Sequence, residues 1–367
     1  MKKVYLIPFL LVAGLASCGG SKSSTSSLAE QALDAFPILL DFNTGKEIYA
    51  SDGLTAKYYD SFLGLKNLHW QDQDFSLTWE ALPADKWNIS NYKGDENRTK
   101  FRPTYGDTSY EATLKLTIAT EDGKDKAEAE WKFTTATHTA PDLSSYTYMA
   151  IQDLQETYNA TPGSIPSKVY TYGYLTSSME ESETHIYSGV YMGDGDYGLM
   201  LYSGNLSKLW DASGFAYGDL IMIAGTTSPY NGLLEVKPDF MEFADKEDPK
   251  AVGIVDPYYI QGDEYAWSMS GDNNIGVHQS ALIEFKGLAY KSGKVDSLNS
   301  HATITFTHEG TDIDVYCNYH LGTAAMTEIQ AFIAELSAGD VVNVRGVISV
   351  YNKPQIVPVF GGNSFSK

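Results

Sequence analysis

Two stretches of this chain are near-copies of each other, and that duplication limits the folds open to it more than any other feature. Gly218-Asp219, then Leu220 to Ala224 and Gly225, matches Gly339-Asp340, then Val341 to Arg345 and Gly346. Five residues after each closing glycine comes a Tyr-Asn pair, Tyr230-Asn231 and Tyr351-Asn352, so the offset is 121 residues throughout. Upstream, Val169 to Gly173 matches Ile283 to Gly287, and Leu199 to Tyr202 matches Ile313 to Tyr316, both at an offset of 114. The seven extra residues of the second copy fall between these blocks. There Met326, Ile329, Phe332, Ile333 and Leu336 recur at helical spacing, where the first copy has the weaker Leu206 to Phe215. Matching at fixed spacing marks a duplicated unit. Each unit reads strand, strand, strand, helix or loop, Gly-Asp strand, Tyr-Asn turn, strand.

Five strands with a helix between the third and fourth is the order of an OB-fold barrel. Gly173 and Gly287 are expected to let the first strand curl round a tight barrel, and Gly-Asp to turn the chain into strand four. In these marks the units resemble the tandem OB-like domains of bacterial surface lipoproteins and of modules attached to secreted nucleases. The resemblance implies OB-like domains over 146–243 and 281–362, joined by an acidic, loop-like linker over 244–280. Tyr258, Tyr259, Ile260 and Trp267 are too apolar to stay solvated, so part of that linker is expected to pack on a barrel.

Ahead of the repeat, from 42 to 140, apolar residues recur with period two: Leu77 and Trp79; Ala112, Leu114, Leu116 and Ile118; Ala129, Trp131 and Phe133. Asp122-Gly123 sits at the centre of a hairpin joining the last two runs. The pattern predicts a small antiparallel sandwich with one buried face per sheet. In Trp79, Arg102-Pro103, Gly106-Asp107, the Leu114 strand and the Gly123 hairpin it resembles the atrophied bacterial immunoglobulin-like domain. That resemblance implies a spacer or adhesive module and carries over no catalytic residue. Tyr146 to Tyr158 predicts a short helix, stopped by Thr161-Pro162-Gly163. The expected fold class is therefore all-β with short helices: an Ig-like β-sandwich followed by two duplicated OB-like five-stranded barrels.

The first residues predict a destination. Lys2 and Lys3 precede an apolar run, Val4 to Leu11, which is too short to span a bilayer. Leu15-Ala16-Ser17-Cys18, followed by Gly19-Gly20, looks like a bacterial lipobox. This implies a signal peptide over 1–17, acylation of Cys18 with palmitate-type chains, and a lipid-anchored tether over 18–41. Ser21 to Ser27 is suitably polar for such a tether. The expected location is the extracytoplasmic face of a bacterial cell membrane or outer membrane, with the membrane as a partner through Cys18. The other reading is a plain secretory signal with an incidental cysteine. Cys317 is expected to be a buried small hydrophobe.

Chemistry is less legible. The chain has 47 acids against 26 bases, a net charge of −21, which argues against nucleic acid as a partner because phosphate neutralisation supplies that affinity. Residues 168–243 hold three bases (Lys168, Lys208, Lys237) against ten acids. Residues 281–360 hold five (Lys286, Lys291, Lys294, Arg345, Lys353) against eight. The aromatic half of a single-strand platform is present in Tyr170, Tyr172, Tyr174, Tyr187, Tyr191 and Tyr202, although core packing accounts for at least half of such tyrosines. Gly193 to Gly198 fits G-x-G-x-x-G formally but runs into the strand Leu199 to Tyr202, which favours a hairpin over a dinucleotide site or a calcium loop through Asp194 and Asp196. His301, His308, Cys317 and His320 lie close enough in sequence to raise zinc. On one regular strand, however, His301 and His308 face opposite sides. No nucleophile elbow, H-E-x-x-H or phosphate loop occurs. No cofactor is expected. The leading expectation is a non-catalytic surface module that binds a protein or glycan, with Tyr230, Asn231, Tyr351 and Asn352 as candidate ligand residues on equivalent turns. The alternatives are a nucleic-acid-binding OB accessory of an extracellular nuclease or scavenging system, and a hydrolase with an unrecognised carboxylate site. For the two turns themselves, the competing reading is that Tyr-Asn merely closes a hairpin.

Overall fold

A computed structural model describes residues 26–42, 45–49, 54–56, 60–92, 95–177, 189–202, 206, 209–210, 215–244 and 248–367. Cys18 and the segment before it lie outside these residues. Helix α1 (Leu28–Ala35) is started by a capping box. The Ser27 hydroxyl accepts from the Glu30 amide at 3.1 Å, and the Ser27 amide donates to the Glu30 carboxylate at 2.9 Å. Ala29 and Ala32 bury one face of the helix in the core that follows. The last part of the tether expected over 18–41 is thus folded, because the helix has a surface to pack on.

Nine strands follow: β1 (Leu39–Asp41), β2 (Leu54–Ala56), β3 (Phe62–Leu65), β4 (Asn67–Trp70), β5 (Gln73–Leu82), β6 (Trp87–Asn91), β7 (Arg98–Pro103), β8 (Glu111–Thr120) and β9 (Lys126–Thr135). They form two sheets, β1-β3-β7-β6 and β2-β9-β8-β5-β4. Along β8, Ala112, Leu114, Leu116 and Ile118 are buried at every second position, as the alternation predicts. Aromatic rings fill the space between the sheets. Phe62 stacks on Phe133 at 4.5 Å, and Trp79 lies 5.3 Å from both Phe101 and Trp131.

The remaining chain builds two barrels. The first has β10 (Thr147–Tyr148), α2 (Ile151–Ala160), β11 (Lys168–Leu175), β12 (Gly189–Asp194), β13 (Tyr197–Tyr202), β14 (Leu220–Thr227) and β15 (Glu235–Phe243). The second has β16 (Ile260–Gln261), β17 (Leu282–Ser292), β18 (Ala302–His308), β19 (Thr311–Cys317), α3 (Thr323–Ala334), β20 (Val341–Val350), β21 (Pro354–Val357) and β22 (Phe365–Ser366). Strand order is β11-β12-β13-β15-β14 in one and β17-β18-β19-β21-β20 in the other, each closed by pairing the first strand with the fourth. In both, the third and fifth strands run parallel, Leu201 opposite Val236 and Val315 opposite Ile356. These are tandem OB-like barrels, and the chain is all-β with short helices.

The duplication extends to register. Val169 faces Gly225 in the first barrel, and Ile283 faces Gly346 in the second. Gly218 and Gly339 both have positive φ, +88° and +94°, a conformation that favours glycine. The following aspartate accepts a backbone amide in each copy, Asp219 from Ala216 at 2.7 Å and Asp340 from Ser337 at 2.9 Å. Gly173 and Gly287 differ. A Cβ on Gly173 would press on Ile151 and Met192, whereas Gly287 has φ +70° at a break in strand register.

Two expectations need correction. The helix predicted from Tyr146 begins only at Ile151, because Thr147 and Tyr148 pair in parallel with β11 and the Tyr148 ring packs 5.4 Å from Tyr170. The linker expected over 244–280 is partly the second barrel's own lead-in, because β16 pairs with β17 just as β10 does with β11. Tyr259 packs on Phe360 and Trp267 on Phe285, in keeping with their apolar character.

Candidate ligand-binding site at the seam between the barrels

The barrels meet through an apolar cluster of Tyr191, Leu282, Val347 and Val357. Gly198 rests against the Ser280 backbone with no room for a Cβ. This places the end of the G-x-G-x-x-G stretch in packing. The rest of the stretch is a hairpin: β12 and β13 pair from Gly189 opposite Tyr202 to Asp194 opposite Tyr197. Asp194 accepts the Val255 amide at 2.7 Å, and the Asp196 carbonyl lies 2.9 Å from His278 Nδ1. The hairpin therefore holds the connector.

The same seam brings the two Tyr-Asn turns together. The Asn352 amide donates to the Asn231 carbonyl at 2.8 Å, and the Tyr230 and Tyr351 rings lie 6.3 Å apart. Asn231 and Asn352 both have positive φ, +48° and +60°. Asparagine tolerates that conformation better than most residues, so turn closure accounts for the two asparagines. It does not account for the tyrosines, which are 58% and 55% exposed. A paired, exposed aromatic surface built from both copies is what the duplication produces here.

Other rings adjoin the second turn. His301, just before β18, stacks on Tyr316 of β19 at 5.3 Å and lies 4.8 Å from Tyr319; Tyr319 lies 4.0 Å from His320. Tyr316 is close enough to Tyr351 for that phenol to help raise its pKa, burial being the larger cause. In sequence Tyr316 was visible only as the counterpart of Tyr202, and His301 only as a candidate zinc ligand. Among the described residues no three His, Cys, Asp or Glu side chains converge to hold a metal. His308 instead packs on Phe285 at 5.0 Å. Cys317 is fully buried in the second barrel's core, and burial pushes its thiol up to about 12.

The tyrosines of the first barrel are mostly covered. Tyr170 and Tyr172 pack under the lead-in with Tyr148, Tyr172 donates to Asp248 at 2.9 Å, and Tyr191 lies in the seam. Tyr187 lies outside the described residues. The five bases of the second barrel are ion-paired: Lys286 and Arg345 with Glu284, Lys291 with Asp312, Lys294 with Asp296, and Lys353 with Asp314.

No family model matches the chain, and no curated protein matches its sequence. Solved structures do. The p204 HINb domain is similar at 8% identity, over 51% of this chain and 90% of that one, with a TM-score of 0.24. The Ifi202 HINa domain in complex with 20-bp double-stranded DNA is similar at 13% identity, over 54% and 93%, with a TM-score of 0.25. A murine DNA-binding protein bound to double-stranded DNA is similar at 9% identity, over 51% and 94%, with a TM-score of 0.26. The expectation that nucleic acid is an unlikely partner does not stand beside the last two, which are structures of proteins on double-stranded DNA.

Proposed function

We propose that this chain is a non-catalytic, exported binding protein whose ligand seat lies on the seam between its two OB-like barrels. The observation that carries this reading is the meeting of Tyr230 and Tyr351 as an exposed pair, on turns whose asparagines are explained by backbone conformation and whose tyrosines are not. Exposed tyrosine offers a flat apolar face with a polar edge, suited to a sugar ring or a protein side chain. The sandwich, which resembles an immunoglobulin-like spacer, would hold the barrels away from a membrane in which acyl chains on Cys18 would be inserted.

A nucleic-acid strand is the second reading. The specific support for it is position: Tyr316 lies on strand three and Tyr351 on the turn between strands four and five, and OB barrels take oligonucleotides or oligosaccharides on that face. Glycan and protein arrays, run beside single- and double-stranded DNA at two salt concentrations, separate the readings, because phosphate contacts make affinity fall steeply with salt. Tyr230→Ala and Tyr351→Ala are each expected to weaken the bound ligand at least tenfold with thermal stability unchanged. Lost stability with unchanged affinity would reduce both turns to hairpin closure. For the anchor, Cys18→Ala is expected to release the protein from carbonate-washed membranes; retention would rule out the lipid.

A further inference from the structure

The rings around His301 are the strongest feature that the paired turns leave unexplained. With the turn tyrosines they form two groups: the Tyr230–Tyr351 pair, 6.3 Å apart, and His301 with Tyr316, Tyr319 and His320, with centroids 4.0–5.3 Å apart between His301 and Tyr316, His301 and Tyr319, and Tyr319 and His320; Tyr316 lies within electrostatic reach of Tyr351. None of the six is fully buried, and His301 is exposed like the two turn tyrosines. An aromatic cluster that served only the core would be covered.

We propose that these two groups of rings together form one binding face, and that its ligand is a neutral oligosaccharide chain lying across the seam. The inference rests on the Tyr230–Tyr351 pair being a ligand seat, and adds its length and the class of its ligand. Length follows from the extent of the two groups, which lie on either side of the Tyr351 turn and together present more aromatic surface than one monosaccharide covers. Neutrality follows from the charges. Burial lowers the His301 imidazole, and burial together with His301 lowers that of His320, which disfavours the charged form of both rings. Lys353, the base of the Tyr351 turn, is held by Asp314. A sugar chain needs no counter-charge; its C–H faces meet the rings, and its hydroxyls can reach polar neighbours such as exposed Thr303, opposite Tyr316 in the sheet, and Asn352.

The test is calorimetric titration of the full chain with α-glucan, β-glucan and xylan oligosaccharides from disaccharide to hexasaccharide, with a deoxythymidine oligomer alongside. One saccharide series is expected to bind with affinity that rises with length. His301→Ala and Tyr319→Ala should lower hexasaccharide affinity at least tenfold while leaving disaccharide binding intact. Thermal unfolding of both variants confirms that they fold; if Tyr319→Ala does not, His301→Ala with its exposed ring carries the test. Length-independent binding, or hexasaccharide affinity indifferent to both variants, overturns the extended face and leaves the Tyr230–Tyr351 seat standing. Hexasaccharide binding that also ignores Tyr230→Ala and Tyr351→Ala overturns the seat as well. Binding of the deoxythymidine oligomer without any saccharide, or no binding of either, overturns the glycan assignment.

Discussion

Glu235 opens β15 with its side chain buried, in the neighbourhood of Tyr158 and Tyr191, whose phenols it helps to raise. Burial raises its carboxyl from 4.5 to about 7, only partly opposed by Lys237. Because the folded pKa lies above the unfolded one, this group favours the fold most below pH 4.5, and that advantage is lost as pH rises through 7. Glu235→Gln is therefore expected to stabilise the protein at pH 8, by roughly 1–3 kcal/mol, with little effect near pH 4. Urea melts of both proteins across that range would measure it, and parallel profiles would show that Glu235 is not the responsible group. Nothing in the sequence singled this glutamate out, because its burial depends on β15 lying against β13 and on the packing around Tyr158 and Tyr191. The asparagines of the two turns were different. Their recurrence at a constant offset was legible, and a positive φ is a demand that local sequence meets by itself.

At the scale of strands, Gly225 and Gly346 end the duplicated motif and occupy equivalent places. A Cβ on Gly225 would run into the Lys237 carbonyl, and one on Gly346 into the Val357 carbonyl, in each case on the fifth strand of the barrel. Gly225→Ala and Gly346→Ala should each cost about 1–3 kcal/mol through forced separation of strands four and five. Gly163→Ala, where a Cβ meets nothing within 4 Å, serves as the neutral comparison. Thermal denaturation reads all three; an effect in only one copy would mean that the two barrels do not share this packing. The order of strands in each barrel was legible because short apolar runs and turn residues are local. The lead-in strands were not, since Thr147-Tyr148 and Ile260-Gln261 are too short to show a period and are strands only because an open edge of β11 or β17 receives them.

Across the whole molecule, the sandwich is fastened to the first barrel by Lys100. Its ammonium meets Asp219 at 2.8 Å and lies 4.1 Å from the centre of the Phe42 ring, with only 3% of the residue exposed. Arg102 adds a second cation over Phe243 at 4.4 Å, and His138 lies 3.2 Å from Glu242. Removing one partner of a buried pair strands the other charge, so Lys100→Met should cost about 3–5 kcal/mol, and Asp219→Asn added to it should recover part of that loss. Calorimetry is expected to show the single variant unfolding its sandwich separately from its barrels. An unchanged transition would mean that the junction contributes nothing to stability. Asp219 belongs to the duplicated Gly-Asp turn, and its counterpart Asp340 has the turn bond to Ser337 with no such lysine among the described residues, so one copy of a turn residue has become a dock.

The amino-acid sequence by itself determined the all-β class, the duplication, the strand order within each unit and the turns that need glycine or asparagine. Each of these depends on residues close in the chain, where period and backbone conformation are set. Only the tertiary structure decided that Tyr230 meets Tyr351, that Lys100 meets Asp219, and that His301 packs among tyrosines. The first two pairs are separated by more than a hundred residues and lie on different domains, and the third turns on which rings surround one imidazole. All depend on how finished surfaces dock, and docking is set by shape and burial over whole faces, which no local pattern encodes.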